Sequence, residues 1–226
     1  MTIRRDTKKI YYDKVPVGGR TPITVQSMTN TETEKVENTI SQIHELTEAG
    51  CEIIRIAVPT MEAARKIPDI KSQISIPLIA DIHFNYKLAL KAIEGGSDGL
   101  RINPGNIGCK ETVIKVVESA KKAEIPIRVG VNSGSIDKNL LKKYGHPTAQ
   151  AMVESALQHI EILEKENFYD IIVSMKATDI WMTLKAHQLL AEKVDYPFHI
   201  GITEAGTSWG GSIKSAAGIG SLLTQG

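Results

Sequence analysis

Residues 77–105 read PLIADIHFNYKLALKAIEGGSDGLRINPG. Two short apolar runs, PLIADIH (77–83) and GLRINPG (99–105), flank a segment that reads as an amphipathic helix. Each run has the length of a buried strand, is rich in aliphatic residues and ends in polar ones. The same unit recurs outward in both directions. Upstream lie ITVQSMT (23–29) and IIRIAV (53–58); downstream lie PIRVGVN (126–132), DIIVSMK (170–176) and FHIGITE (198–204).

The intervening segments carry helical spacing. Val36, Ile40, Ile43 and Leu46 form one apolar stripe, with Gly50 suited to the C′ position and Thr31 and Glu34 spaced as a capping box. Val113, Val116, Val117 and Ala120 form a second stripe; Met152, Ala156, Ile160 and Leu163 a third; Ile180, Leu184 and Leu190 a fourth. Strands alternating with helices require right-handed crossovers and a parallel sheet. An open doubly wound sheet would carry a GxGxxG loop after its first strand, and none follows ITVQSMT. A (β/α)8 barrel normally takes about 250 residues. The 226 residues here supply seven units. The expectation is an α/β fold: a TIM-type (β/α)8 barrel truncated after the seventh β/α unit, with residues 1–226 as one incomplete domain.

Charges stand where barrel strands should be apolar. Arg55 lies between Ile54 and Ile56, Arg101 between Leu100 and Ile102, Arg128 between Ile127 and Val129, and Lys176 ends IVSMK. Both faces of a barrel strand are covered, so an unpaired cation there is costly. Four cations at one end of a barrel make sense around an anion. Only Asp81 and Glu204 oppose them at strand ends. The surplus fits a diphosphate, since the guanidinium fork donates two parallel hydrogen bonds. A ligand-free ion-pair layer is the alternative. Strand C-termini are the catalytic face of this fold.

Neutral groups join them: Gln26, Ser27, Asn30, His83, Asn85, Asn103, Asn106 and Asn132. The INPGNIG loop (102–108) could receive an anion on its backbone N–H groups, or be a plain turn. His83 is a proton donor or a hydrogen-bonded structural histidine. Residues 133–150 and 203–218 are candidate lids or binding loops.

Composition sets outer limits. The chain is 42% hydrophobic and 23% charged with net charge +1, which gives no bulk attraction for nucleic acid or anionic membranes. No apolar run approaches the roughly 20 residues of a membrane span, and the basic start lacks a secretory apolar region. Cys51 and Cys109 have no metal-ligand spacing, so no metal site is expected and a reducing cytoplasm is the simplest setting.

The segments VQSMTNT, RIAVP, ADIHFNYKLAL, LRINPGNIG, RVGVNSGS, KYGHPT and GITEAG occur in this order. Together they resemble the 4-hydroxy-3-methylbut-2-enyl diphosphate synthases, iron–sulfur enzymes of the methylerythritol phosphate route to isoprenoids. The resemblance implies a barrel that binds 2-C-methyl-D-erythritol 2,4-cyclodiphosphate for reductive ring opening and loss of water. It implies that Arg55, Arg101, Arg128 and Lys176 contact phosphate and that Asp81, His83, Asn103 and Asn132 position substrate. Glu204 would be the proton donor near the reacting carbons. It also implies a [4Fe-4S] cluster in a separate C-terminal domain, a ferredoxin or flavodoxin donor, and a homodimer when complete. That cluster domain and an eighth strand are expected to be missing here, so the chain alone is expected to be inactive. Alternatives are a dihydropteroate synthase-like transferase barrel and a non-catalytic phospholigand-binding module.

Overall fold

A computed structural model describes residues 4–103 and 106–226. The chain opens with an antiparallel hairpin, β1 (Lys9–Tyr12) and β2 (Val15–Gly18), turned at Asp13 and Lys14. The barrel units follow: β3 (Gln26–Met28), α1 (Val36–Glu48), β4 (Ile53–Ala57), α2 (Met61–Lys71), β5 (Leu78–Asp81), α3 (Tyr86–Glu94), β6 (Gly99–Ile102) and α4 (Lys110–Lys122). Next come β7 (Ile127–Asn132), α5 (Lys138–Tyr144), α6 (Ala149–Lys165), β8 (Ile171–Lys176), α7 (Ile180–Ala191) and α8 (Ser208–Thr224). Strands β3 to β8 pair in sequence order, all parallel, as one curled six-stranded sheet.

Side-chain alternation sorts the strands into two environments. Ile54, Ile56, Leu78, Ala80, Leu100, Ile102, Ile127, Val129, Ile171 and Val173 pack outward with helix residues such as Ile43, Ile67, Val116 and Ala156 in one continuous core. The opposite face lines the barrel interior. Its lowest layer is Ile53, Ile79 and Ile172, on which the hairpin seats Ile10 and Tyr12. The hairpin therefore stoppers the end of the barrel where the strands begin. Gly99 makes this fit possible, because a Cβ there would collide with the Tyr12 ring.

Three expectations need correction. The seventh run, 198–204, is not a strand: it makes a single parallel bridge, Phe198 with Val173. It pairs on one side only, so half of its ladder is missing, and Glu204 turns the backbone at φ +50°. The first run shrinks to Gln26–Met28, likewise paired on one side, and leaves Ile23 and Val25 exposed. The capping box at Thr31 and Glu34 does not form. Residues 32–35 make a turn first, α1 starts after Lys35, and Glu34 instead accepts a hydrogen bond from Thr60 Oγ1 at 2.5 Å. Gly50 does end α1, at φ +96°. The long 133–150 connection is packed rather than loose: Ile136 and Leu140 are buried, and Lys143 and Tyr144 hold Glu154 of α6. No helix among the described residues is long and apolar enough to cross a membrane.

Candidate anion site inside the barrel

The interior face above the apolar layer is charged. By alternation it carries Arg55 and Ala57 on β4, Asp81 on β5, Arg101 on β6, Arg128, Gly130 and Asn132 on β7, and Ser174 and Lys176 on β8. The register joins them laterally: Asp81 lies beside Arg101, Arg101 beside Arg128, and Asn132 beside Lys176.

One carboxylate serves the group. Asp81 accepts from Arg101 Nη1 at 3.1 Å, and Arg55 Nε and His83 Nε2 lie 3.5 and 3.4 Å from its oxygens. Burial alone would raise the Asp81 pKa. The hydrogen bond from His83 and the two guanidinium groups outweigh that and hold the carboxyl well below its ordinary range. Asp81 therefore stays ionised, and it cancels one charge among three arginines and a lysine.

Arg128 is the extreme case. It is 1% exposed, and among the described residues its only hydrogen bond runs from Nη1 to Ser174 Oγ at 3.1 Å. Its Nε and Nη2, and Arg101 Nε, have no hydrogen-bond partner among the described residues. Burial, followed by the neighbouring Arg55, lowers the Arg128 pKa. A guanidinium nonetheless stays protonated at neutral pH. Arg128 is the second residue of β7, so it is rooted deep in the barrel rather than at the strand ends where it was expected.

Lys176 ends β8 and has His199, not a carboxylate, as its neighbour: Nζ lies 3.0 Å from Nε2. Burial, then Arg128, Arg55 and Arg101, lower its pKa to about 7. Gly130 supplies room, since a Cβ there would collide with the Arg101 guanidinium. His199, Gly130, Ser174 and the stopper residue Tyr12 were not singled out from sequence. The inward parity of Gly130 and Ser174 with Arg128 and Lys176 was the available signal.

The remaining expected site residues divide. Asn103 is buried just after β6. His83 is exposed but reaches Asp81. Asn132 is engaged in its own turn: its side chain accepts from the Ser135 backbone N–H. Glu204 is exposed, and its Oε2 accepts from Thr178 Oγ1 at 3.4 Å, just beyond β8; it is not drawn into the cation group. In the INPGNIG loop, Pro104 and Gly105 lie outside the described residues.

Among the described residues no group of three or more His, Cys, Asp or Glu could hold a metal ion. Cys51 is buried just before β4 and donates to Ile53 O; Cys109 is exposed at the start of α4, beyond the other end of the sheet. These residues do not fit an iron–sulfur cluster, which takes mostly thiolate ligands converging on one point. Two shallow hollows, one near Glu164, Lys193 and Tyr196 and one near Lys9, Glu124 and Asp170, lie toward the strand starts and gather no comparable chemistry.

Comparison with known proteins gives a consistent answer. Residues 7–226 match the family model described as the GcpE TIM-barrel domain. The 4-hydroxy-3-methylbut-2-en-1-yl diphosphate synthase (flavodoxin) of Shouchella clausii is 56% identical over 223 residues, covering 99% of this chain and 61% of that protein. The enzyme of the same name from Bacillus subtilis is 55% identical over 226 residues, covering 100% of this chain and 60% of its own length. The chain thus spans about three fifths of the curated relatives it matches. Among solved structures, Yersinia pestis dihydropteroate synthase superposes with TM-score 0.62 at 11% identity, over 96% of this chain and 80% of that one. The 3-dehydroquinate dehydratase of Geobacillus kaustophilus does so with TM-score 0.62 at 11% identity, over 88% and 80%. At such identities the likeness is one of fold.

Proposed function

The chain belongs to the GcpE TIM-barrel domain family, and on that premise we propose that it is the substrate-binding barrel of a 4-hydroxy-3-methylbut-2-en-1-yl diphosphate synthase. The ligand is the cyclic diphosphate of 2-C-methyl-D-erythritol. The observation that carries this reading is the charge imbalance inside the barrel: three arginines and one lysine around a single ionised carboxylate, with guanidinium N–H groups left unpaired. A diphosphate supplies the missing negative charge and several acceptors at once.

The roles follow from position. Arg55, Arg101, Arg128 and Lys176 bind phosphate oxygens and spread the charge released when the ring opens. Asp81 keeps Arg55 and Arg101 aimed inward and orients His83, which faces the mouth. Asn103 positions substrate from the end of β6. Glu204, ending the segment after the single Phe198 bridge, delivers a proton to the hydroxyl that leaves the reacting carbons as water, once the loop brings it inward. Asn132 acts indirectly, by shaping the turn that leaves β7. The overall change consumes two electrons and two protons and releases water. No residue described here supplies electrons, so this reading assigns the [4Fe-4S] cluster to the part of the relatives that this chain does not match. It takes flavodoxin, named for those relatives, as the electron donor, and the cytoplasm as the location.

The test is calorimetric competition. This chain should bind 2-C-methyl-D-erythritol 2,4-cyclodiphosphate and prefer it to a dihydropterin diphosphate, although the linear diphosphate carries more negative charge. Preference for the pterin would transfer the chain to a dihydropteroate synthase-like chemistry. Equal binding of both and of inorganic diphosphate would leave only a phospholigand module.

A further inference from the structure

Lys176 is the one cation of the site held by a neutral base. His199 reaches it from a segment that is barely part of the sheet. Val173 N donates to Pro197 O at 3.0 Å and His199 N donates to Val173 O at 2.9 Å, and these two bonds form the only bridge of that segment among the described residues. They fix the His199 backbone beside β8 and set its ring against Lys176, with Nε2 3.0 Å from Nζ. Two residues on, Gly201 leaves space: a Cβ there would sit 3.1 Å from Nζ.

While Lys176 is an ammonium, below about pH 7, the groups around the pair admit one protonation pattern. Arg55 on β4, Arg101 on β6 and Arg128 on β7 are cationic, Asp81 on β5 is the lone carboxylate, and His187 on α7 is neutral. Burial, then Arg128 and Lys176, keep His199 neutral well below its ordinary pKa. A neutral imidazole facing an ammonium must present a bare Nε2 and carry its proton on Nδ1.

We propose that His199 is a positioning residue for Lys176: its unprotonated Nε2 accepts a hydrogen bond from Nζ and holds the ammonium over the barrel interior, where it meets a phosphate group. This rests on the diphosphate reading of the site. Without the acceptor, the long lysine side chain is free to swing out toward solvent and away from three like charges.

The test uses inorganic diphosphate as probe, with titration calorimetry on the wild type, His199→Leu, His199→Gln, Lys176→Met and the double variant. His199→Leu should weaken binding about ten-fold, the size of one charge-assisted hydrogen bond. His199→Gln, which keeps an acceptor near the Nε2 position, should recover most of it. The double variant should bind no worse than Lys176→Met alone, because His199 acts through the lysine. Additive losses, or no loss in His199→Leu, would overturn the proposal. Nitrogen NMR of the wild-type imidazole gives a ligand-independent arm. Between about pH 5.5 and 6.5, where Lys176 is still an ammonium, an unprotonated Nε2 whose shift moves in Lys176→Met supports the pair. A protonated Nε2 refutes it. If the wild type binds no diphosphate, the functional reading fails, and the NMR arm still decides the pair.

Discussion

Arg128 shows how one residue reports on the site. A fully buried guanidinium with a single neutral hydrogen-bond partner opposes folding, because desolvation is not repaid by an opposite charge. Arg128→Met, similar in length and uncharged, is therefore expected to leave the thermal midpoint unchanged or raise it. It should also weaken diphosphate binding by about 1.5–3 kcal/mol. Thermal unfolding and calorimetry on the same variant check both; a fall in stability with unchanged affinity would make Arg128 structural. Lys176 gives a pH test. Its folded pKa, about 7, lies below the ordinary 10.5, so above pH 7 the unfolded chain binds more protons than the folded one. This lysine's opposition to folding is full below about pH 7 and is relieved as pH rises toward 10.5. Over the same window diphosphate affinity should fall as the ammonium is lost. Lys176→Met should flatten both profiles, measured as unfolding midpoint and dissociation constant from pH 6 to 9. The charged residues were legible because cations inside apolar runs have few explanations. His199 was not, because a histidine in FHIGITE looks like any strand residue until the hydrogen bond from its backbone N–H to Val173 O is known.

At the scale of elements, the hairpin stopper went unread. KIYYDKVPVG alternates, and Ile10 and Tyr12 are buried while Lys9 and Tyr11 are exposed. The pattern is short, and the flanking basic residues mask it. Its packing partner, the layer of Ile53, Ile79 and Ile172, is assembled from strands far away in sequence. The Tyr12 hydroxyl is buried with no hydrogen-bond partner among the described residues, whereas its ring fills the space over Gly99. Tyr12→Phe should therefore be neutral or stabilising, since it removes an unsatisfied polar atom. Tyr12→Ala should cost about 3–5 kcal/mol by opening a cavity at the bottom of the barrel. Chemical denaturation distinguishes the two; a large loss in Tyr12→Phe would mean the hydroxyl has a partner in solution. Strands β4 to β8 were legible from aliphatic runs of strand length, whereas the first and seventh runs, each paired on one side only, shrink to three residues and to a single bridge.

At the scale of the whole molecule, β3 and the segment after β8 leave two sheet edges unjoined among the described residues. Apolar side chains are exposed as well: Ile23 and Val25 precede β3, and Trp209 (80% exposed) and Ile213 lie on α8. Open edges with apolar flanks recruit further chains. This chain should associate with rising concentration in sedimentation velocity, and Trp209→Ser with Ile213→Ser should shift it toward monomer; a monomer at all concentrations would show the edges to be protected. Cys51 and Cys109 lie at opposite ends of the sheet, so anaerobic reconstitution with iron and sulfide should yield no stoichiometric cluster on this chain. Absorbance near 400 nm at about one cluster per chain would contradict that separation. The most direct test of the diphosphate site is a crystal structure of the chain soaked with 2-C-methyl-D-erythritol 2,4-cyclodiphosphate. Its phosphate oxygens should lie about 2.7–3.2 Å from nitrogens of Arg55, Arg101, Arg128 and Lys176. Density for the ligand outside the barrel, with these four side chains untouched, would contradict the assignment.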